Sequence, residues 1–121
     1  MRNLKSQKKL FFLGLNHDQL PYLKALKQLD YFIVGADMNP SAPGVKMCNQ
    51  FYQIGYEETE SLIKAGKAEG FSSEDKIFTA AAQFAHVGAA SFAHFFGIHY
   101  PSKSSIEICL DKVKFYQSFS E

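Results

Sequence analysis

Short runs that are apolar throughout alternate along this chain with longer stretches in which apolar residues recur every three or four positions. "KLFFLGL" (9–15) and "YFIVGADM" (31–38) are runs of the first kind. Strands buried on both faces show such continuous hydrophobicity, whereas half-exposed strands alternate. Between them, "DQLPYLKALKQL" (18–29) places Leu20, Leu23, Leu26 and Leu29 at helical spacing, with Pro21 in the first turn, where a missing N–H costs little. The second run leads into "NPSAPGVKMCN" (39–49), a loop punctuated by two prolines and a glycine. A short strand (50–56), a helix weakened by Gly66 (57–70), a strand (76–81) and a small-residue helix (84–97) that Gly97 terminates are predicted next. Ser104 and Glu107 form a capping box that opens a last helix over 105–120.

This alternation predicts an α/β fold: a three-layer α/β/α, Rossmann-like domain around a mainly parallel sheet of four or five strands, the first two adjacent. Residues 1–8 read as a flexible lead-in and 9–121 as the domain. A chain of 121 residues suits one domain, and 46% hydrophobic against 21% charged residues is an ordinary globular mixture. The formal net charge of +1 gives no electrostatic reason to expect nucleic acid or an anionic membrane as partner. The basic start "MRNLKSQKK" is followed by only six apolar residues, "LFFLGL", too few for a signal-peptide core or a spanning helix. Cys48 and Cys109 form no CxxC pair, so they are expected as unjoined, buried thiols of a cytoplasmic protein.

In an open parallel sheet, ligands bind beyond the carboxyl ends of the strands. The first such end carries the polar cluster Asn16-His17-Asp18-Gln19 after Gly14. There, backbone N–H groups and a helix N-terminus favour a phosphate or carboxylate, with Asn16 and His17 as added side-chain donors and Asp18 as the helix cap. The second end, Asp37-Met38-Asn39-Pro40, places an acid where a Rossmann domain holds a ribose hydroxyl, but Asn16 and Gln19 stand where the G-x-G-x-x-G fingerprint needs glycine. A dinucleotide site is therefore not expected. The third end, "TAAAQFAH" (79–86), is built from small residues that leave space beside the other two. His86, His94 and His99 lack partners at metal-ligand spacing and read as structural or surface residues. Gly88, Ala89 and Ala93 let their helix sit close to the sheet, and Phe92, Phe95 and Phe96 read as core or interface packing.

The order of these motifs resembles the opening of ATP-grasp enzymes, closest to the carbamoyl-phosphate-synthase-like and biotin-carboxylase-like branches. The resemblance rests on a strand and glycine loop, the "QLP" helix entry, the "DxNPxAPG" stretch at Asp37–Gly44, and "LDKVKFYQSF" (110–119), similar to the "DK" helix that leads into the ATP-grasp domain. It covers about residues 8–120. It implies an N-terminal, pre-ATP-grasp domain of an enzyme that activates a carboxylate with ATP to an acyl phosphate, which an amine or similar nucleophile then attacks. Gly14, Asn16 and His17 fall on the loop that faces the acceptor substrate in relatives. Asp37 and Asn39 fall at the second strand end, and Gln83 where some relatives carry a substrate-binding Glu. Lys112 falls at the Lys or Arg that reaches the nucleotide; without the resemblance it reads as a solvated helix lysine.

ATP and Mg2+ are implied for the full-length enzyme, held by later subdomains, with none expected on this chain and no catalytic residue or metal ligand within it. The partners implied are a small-molecule acceptor and ATP; a homodimer is compatible with the pattern. Phe115, Tyr116 and Phe119 still await a surface, as expected if a longer enzyme continues past Glu121. The alternative is a stand-alone Rossmann-like nucleotide-binding or interaction module without catalysis.

Overall fold

The computed structural model of the chain describes residues 7–100, leaving aside 56 and 80–82. Strand β1 (Lys9–Leu13) leads through a 3-10 turn (His17–Gln19) into helix α1 (Leu20–Gln28). Strand β2 (Phe32–Ala36), a second 3-10 turn (Pro43–Met47) and strand β3 (Gln50–Tyr52) follow. Helix α2 (Thr59–Ala68), strand β4 (Lys76–Thr79) and helix α3 (Gln83–Phe96) complete the described chain. The four strands are parallel, in the order β3-β2-β1-β4. Phe11 stands opposite Val34 on one side and Ile77 on the other. The α/β/α layering, the parallel sheet and the β1–β2 pairing all match the sequence pattern. The predicted last helix, with its Ser104–Glu107 box, lies outside the described residues, as does Cys109.

Strand alternation sends β1 into two cores, because successive side chains point to opposite faces. Phe11 and Leu13 join Val34, Ala36, Leu62, Phe71, Phe92 and Ile98 beneath α2 and α3. Leu10 and Phe12 join Leu15, Tyr22, Leu23 and Ile33 beneath α1 and the second 3-10 turn. Phe11, Phe71 and Phe92 meet edge-on or tilted at ring-centroid distances of 5.0–5.5 Å, the geometry aromatic quadrupoles favour. Ala89 and Ala93 bring α3 close to this core, as expected, while Phe95 is half out in solvent with the Lys67 ammonium 4.9 Å from its ring centre.

Four local expectations change. The α1 stripe is tilted: Leu29 is 68% exposed and Tyr22 is buried in its place. Strands β1, β2 and β3 end earlier than the runs that predict them, and the loop after β2 contains a 3-10 turn. Cys48 is half-buried rather than buried. Gly66, read as a weak point of α2, is where α2 meets α3. A Cβ at this position would stand 2.6 Å from Phe92 Cε2 and 2.7 Å from Phe96 Cε2.

Helix α3 ends as predicted. Gly97 adopts φ +71°, the Ile98 N–H reaches the Ala93 carbonyl at 2.8 Å and the Gly97 N–H reaches that of His94 at 3.3 Å. These are the two bonds of a Schellman cap, and Ile98 and Ala93 share a core cluster, as that motif favours. The amino end of β1 is held by buried Asp75. One carboxylate oxygen accepts the Lys9 N–H at 3.1 Å, the other accepts the Ser72 N–H at 2.8 Å, and the Lys9 ammonium lies 3.7 Å away. Cys48 packs against Gly35, and its thiol donates to the Gly44 carbonyl at 3.5 Å.

Two outcomes follow from this packing. Gly66→Val forces a branched side chain into the fully buried Phe92 ring. The small gain in helix propensity is outweighed by overpacking of about 1–3 kcal/mol, so thermal unfolding followed by circular dichroism should show a melting temperature roughly 4–10 °C lower. Burial pushes the Cys48 thiol up to about 11, above its ordinary value of 9.0. The neutral thiol is the favoured folded form, so its stabilising contribution is complete below pH 9 and is lost as pH rises from 9 to 11. In a Cys109→Ser background, iodoacetamide should label the native chain slowly at pH 8 and the urea-unfolded chain rapidly.

Candidate functional site at the carboxyl edge of the sheet

The loops that leave β1 and β2 run side by side beyond the strand ends. Gly14 takes φ +90°, a conformation open to glycine at little cost, and donates its N–H to the Ala36 carbonyl at 2.9 Å. The next residue, Leu15, donates its N–H to Asp37 Oδ2 at 2.7 Å. The other Asp37 oxygen accepts the Asn39 N–H at 2.8 Å, and Asn39 Oδ1 accepts the Ser41 N–H at 3.0 Å. The Leu15 carbonyl accepts the Gly44 N–H at 2.9 Å. One carboxylate thus ties the first loop to the second, and the first loop in turn anchors the 3-10 turn at Pro43–Met47.

Gly14, Asn16, His17, Asp37 and Asn39 therefore meet at one edge, as their positions after β1 and β2 predict. Their roles in the framework differ. Asp37 and Asn39 spend side-chain oxygens on backbone N–H groups. Asn16 and His17 are exposed, and Asn16 makes no side-chain cap bond. Gln83 opens α3 beyond the carboxyl end of β4, on the same edge. Lys112 lies outside the described residues.

The helix entry differs from expectation. Asp18 is not the cap of α1. It sits inside the 3-10 turn, and Gln19 is the residue that opens α1, with no side-chain cap bond. The turn consumes N–H groups that an anion would otherwise use: Gln19 donates to the Asn16 carbonyl, Leu20 donates to that of His17, and Pro21 has none. Gln19 itself is turned inward and buried. The sequence groups Gln19 with the polar cluster after Gly14, but burial of a glutamine has no sequence signature.

The loop after β3 adds groups that the sequence did not single out. Gly55 donates its N–H to Glu58 Oε2 at 2.6 Å, and the Glu58 N–H returns to the Gly55 carbonyl at 2.9 Å. Gln53 Nε2 donates to the Met38 carbonyl at 3.1 Å, joining this loop to the second. Met38 projects at 61% exposure between two framework residues. His86, in the first turns of α3, is hydrogen-bonded to the Tyr100 hydroxyl, with Nδ1 2.9 Å from the oxygen. Burial pushes the Tyr100 phenol up to about 12, so it remains a neutral partner. Among the described residues, no group of three or more His, Cys, Asp or Glu could hold a metal ion, and no helix is long and apolar enough to cross a membrane.

If Asp37 is the tie between the loops, Asp37→Ala should free the Leu15 and Asn39 amides together. Hydrogen exchange at both should accelerate, and the chain should lose about 2–4 kcal/mol in urea unfolding. Unchanged exchange at Leu15 would show that the carboxylate does not hold the first loop.

No family model matches the chain, and no curated protein matches it either. Solved structures do. Phosphoribosylglycinamide synthetase from Anaerococcus prevotii is similar over 95% of this chain, with a TM-score of 0.67 and 18% sequence identity. A putative epimerase from Burkholderia cenocepacia J2315 is similar over 63% of it, with a TM-score of 0.47 and 18% identity. The chain spans 29% of the length of the synthetase and 25% of the epimerase. At these identities the likeness is one of fold, and it is the Rossmann-like fold of a part of the synthetase that this chain shares along nearly its whole length.

Proposed function

We propose that the chain is the N-terminal, substrate-side domain of an ATP-dependent carboxylate–amine ligase or carbamoyl-phosphate-synthase-like enzyme, inactive by itself. The observation that carries this reading is the fold shared with the synthetase over 95% of the chain, because that synthetase is an ATP-grasp ligase. The sequence motifs that resemble the ATP-grasp opening point the same way. A shared fold does not establish a shared reaction, so the site has to carry the chemistry.

In such a reaction the carboxylate oxygen attacks the γ-phosphorus of ATP and ADP leaves. The amine then attacks the acyl carbon and phosphate leaves. Catalysis of the first step is mainly positioning and charge stabilisation, by Mg2+ and cationic side chains around the transferring group. This chain's contribution is to present the acceptor: Asn16 and His17 on the first loop, beside a second loop braced by Asp37 and Asn39, with Gln83 at the third strand end. Lys112 is assigned to the nucleotide, and the Mg2+ ligands to the rest of the enzyme.

The isolated chain should fold and turn over no Mg-ATP. In the full-length enzyme, Asn16→Ala or His17→Ala should raise KM for the acceptor about tenfold and leave KM for ATP unchanged, whereas Lys112→Ala should raise KM for ATP. Turnover by the isolated chain that Lys112→Ala abolishes would show a complete catalytic apparatus here and overturn the reading.

A further inference from the structure

Gln19 is the unexplained side chain of the carboxyl edge. It is 7% exposed, and its Oε1 atom is buried with no hydrogen-bond partner. Buried polar groups are nearly always paired, because an unpaired one forfeits the bond it made to water. Its backbone is fixed by the Asn16 carbonyl at 3.0 Å. The 3-10 turn that it ends packs against the 3-10 turn at Pro43–Met47. The orphan acceptor therefore lies in the part of the fold where the loop after β1 meets the loop after β2. Glutamine is not needed there to open the helix, since it makes no cap bond. A methionine or leucine would fill similar space without burying an unpaired oxygen.

We infer that Gln19 is a ligand-reading residue of this edge, its side-chain carbonyl reserved for a hydroxyl or amino donor of the bound small molecule. The inference rests on the reading of the edge as an acceptor site. A neighbouring backbone carbonyl could accept a hydrogen bond equally well, but backbone acceptors here are already engaged: Asn16 by Gln19, Leu15 by Gly44 and Asn39 by Ala42. A donor-bearing ligand would satisfy the buried side-chain acceptor that this edge leaves open; among the described residues the other such oxygen is Gln7 Oε1, just before β1 at the opposite end of the sheet. A site built to receive a hydrogen-bond donor also rejects analogues without one, since the site's own polar group then stays unpaired.

The experiment compares the 121-residue chain with Gln19→Met and Gln19→Leu in two measurements: thermal unfolding, and NMR titration with ribose 5-phosphate as the hydroxyl donor or glycine as the amino donor. Without ligand, at least one variant should melt about 3–5 °C above the wild type, because an unpaired buried acceptor has been removed. One of the two probes should bind the wild type, and both variants should bind that probe at least tenfold more weakly. Both variants melting lower would show that the carbonyl already has a partner in the folded chain, and would overturn the inference. Probe binding that survives both substitutions would overturn the role of Gln19 and leave the acceptor site standing. A wild-type chain that binds neither probe would remove the site and the inference together.

Discussion

Strand β1 has no face of its own to give to solvent, and the rest of the structure follows from that. It lies between β2 and β4, and its side chains alternate into two separate cores. Phe11 and Phe12 are neighbours in sequence, yet each is fully buried on a different side of the sheet. Each such ring contributes about 3–5 kcal/mol by the usual cost of truncating a core phenylalanine. A helix layer is therefore required on both faces. Polar groups are excluded from the four successive positions Leu10–Leu13 and gather where the strand stops.

The two ends of β1 are closed by the same device. Asp75 accepts the N–H of Lys9 at the amino end, and Asp37 accepts that of Leu15 just past the carboxyl end. Each carboxylate uses its second oxygen on a backbone N–H of its own loop, Ser72 in one case and Asn39 in the other. Charge-assisted bonds of this kind are roughly twice as strong as neutral ones. They fix where the chain leaves the sheet, which a run of apolar residues cannot do by itself. The edge that carries the candidate site is thus braced by acidic residues that are part of the scaffold.

The layered fold was legible because continuous apolar runs and 3.6-residue periods describe burial directly. The adjacency of β1 and β2 was legible for the same reason. What escaped was set by contacts between distant residues. Gly66 reads in isolation as a propensity loss, and its purpose appears only when Phe92 and Phe96 lie over it. Asp18 reads as a cap because its residue type favours that position, but the chain turns through a 3-10 segment first and the helix opens at Gln19. Strand ends were overextended because hydrophobicity outlasts pairing: Leu15 continues the apolar run of β1 but serves the loop, bonded to Asp37 and Gly44.

A division of labour among the polar residues of the carboxyl edge limits what each can do for a ligand. Asp37 and Asn39 are occupied, and a substrate that drew on them would have to loosen the loops that present it. Asn16 and His17 stand on a turn held by backbone bonds, so their side chains can be given to a ligand without cost to the fold. Gln19 ends the same turn, buried and with one oxygen unused. A pre-organised site needs this separation, with rigid groups that position and spare groups that touch. The sequence places both kinds within a few residues of each other. The hydrogen bonds of the folded chain distinguish them, and on that distinction Asn16, His17 and Gln19 rank ahead of Asp37 and Asn39 as candidates to touch the proposed acceptor.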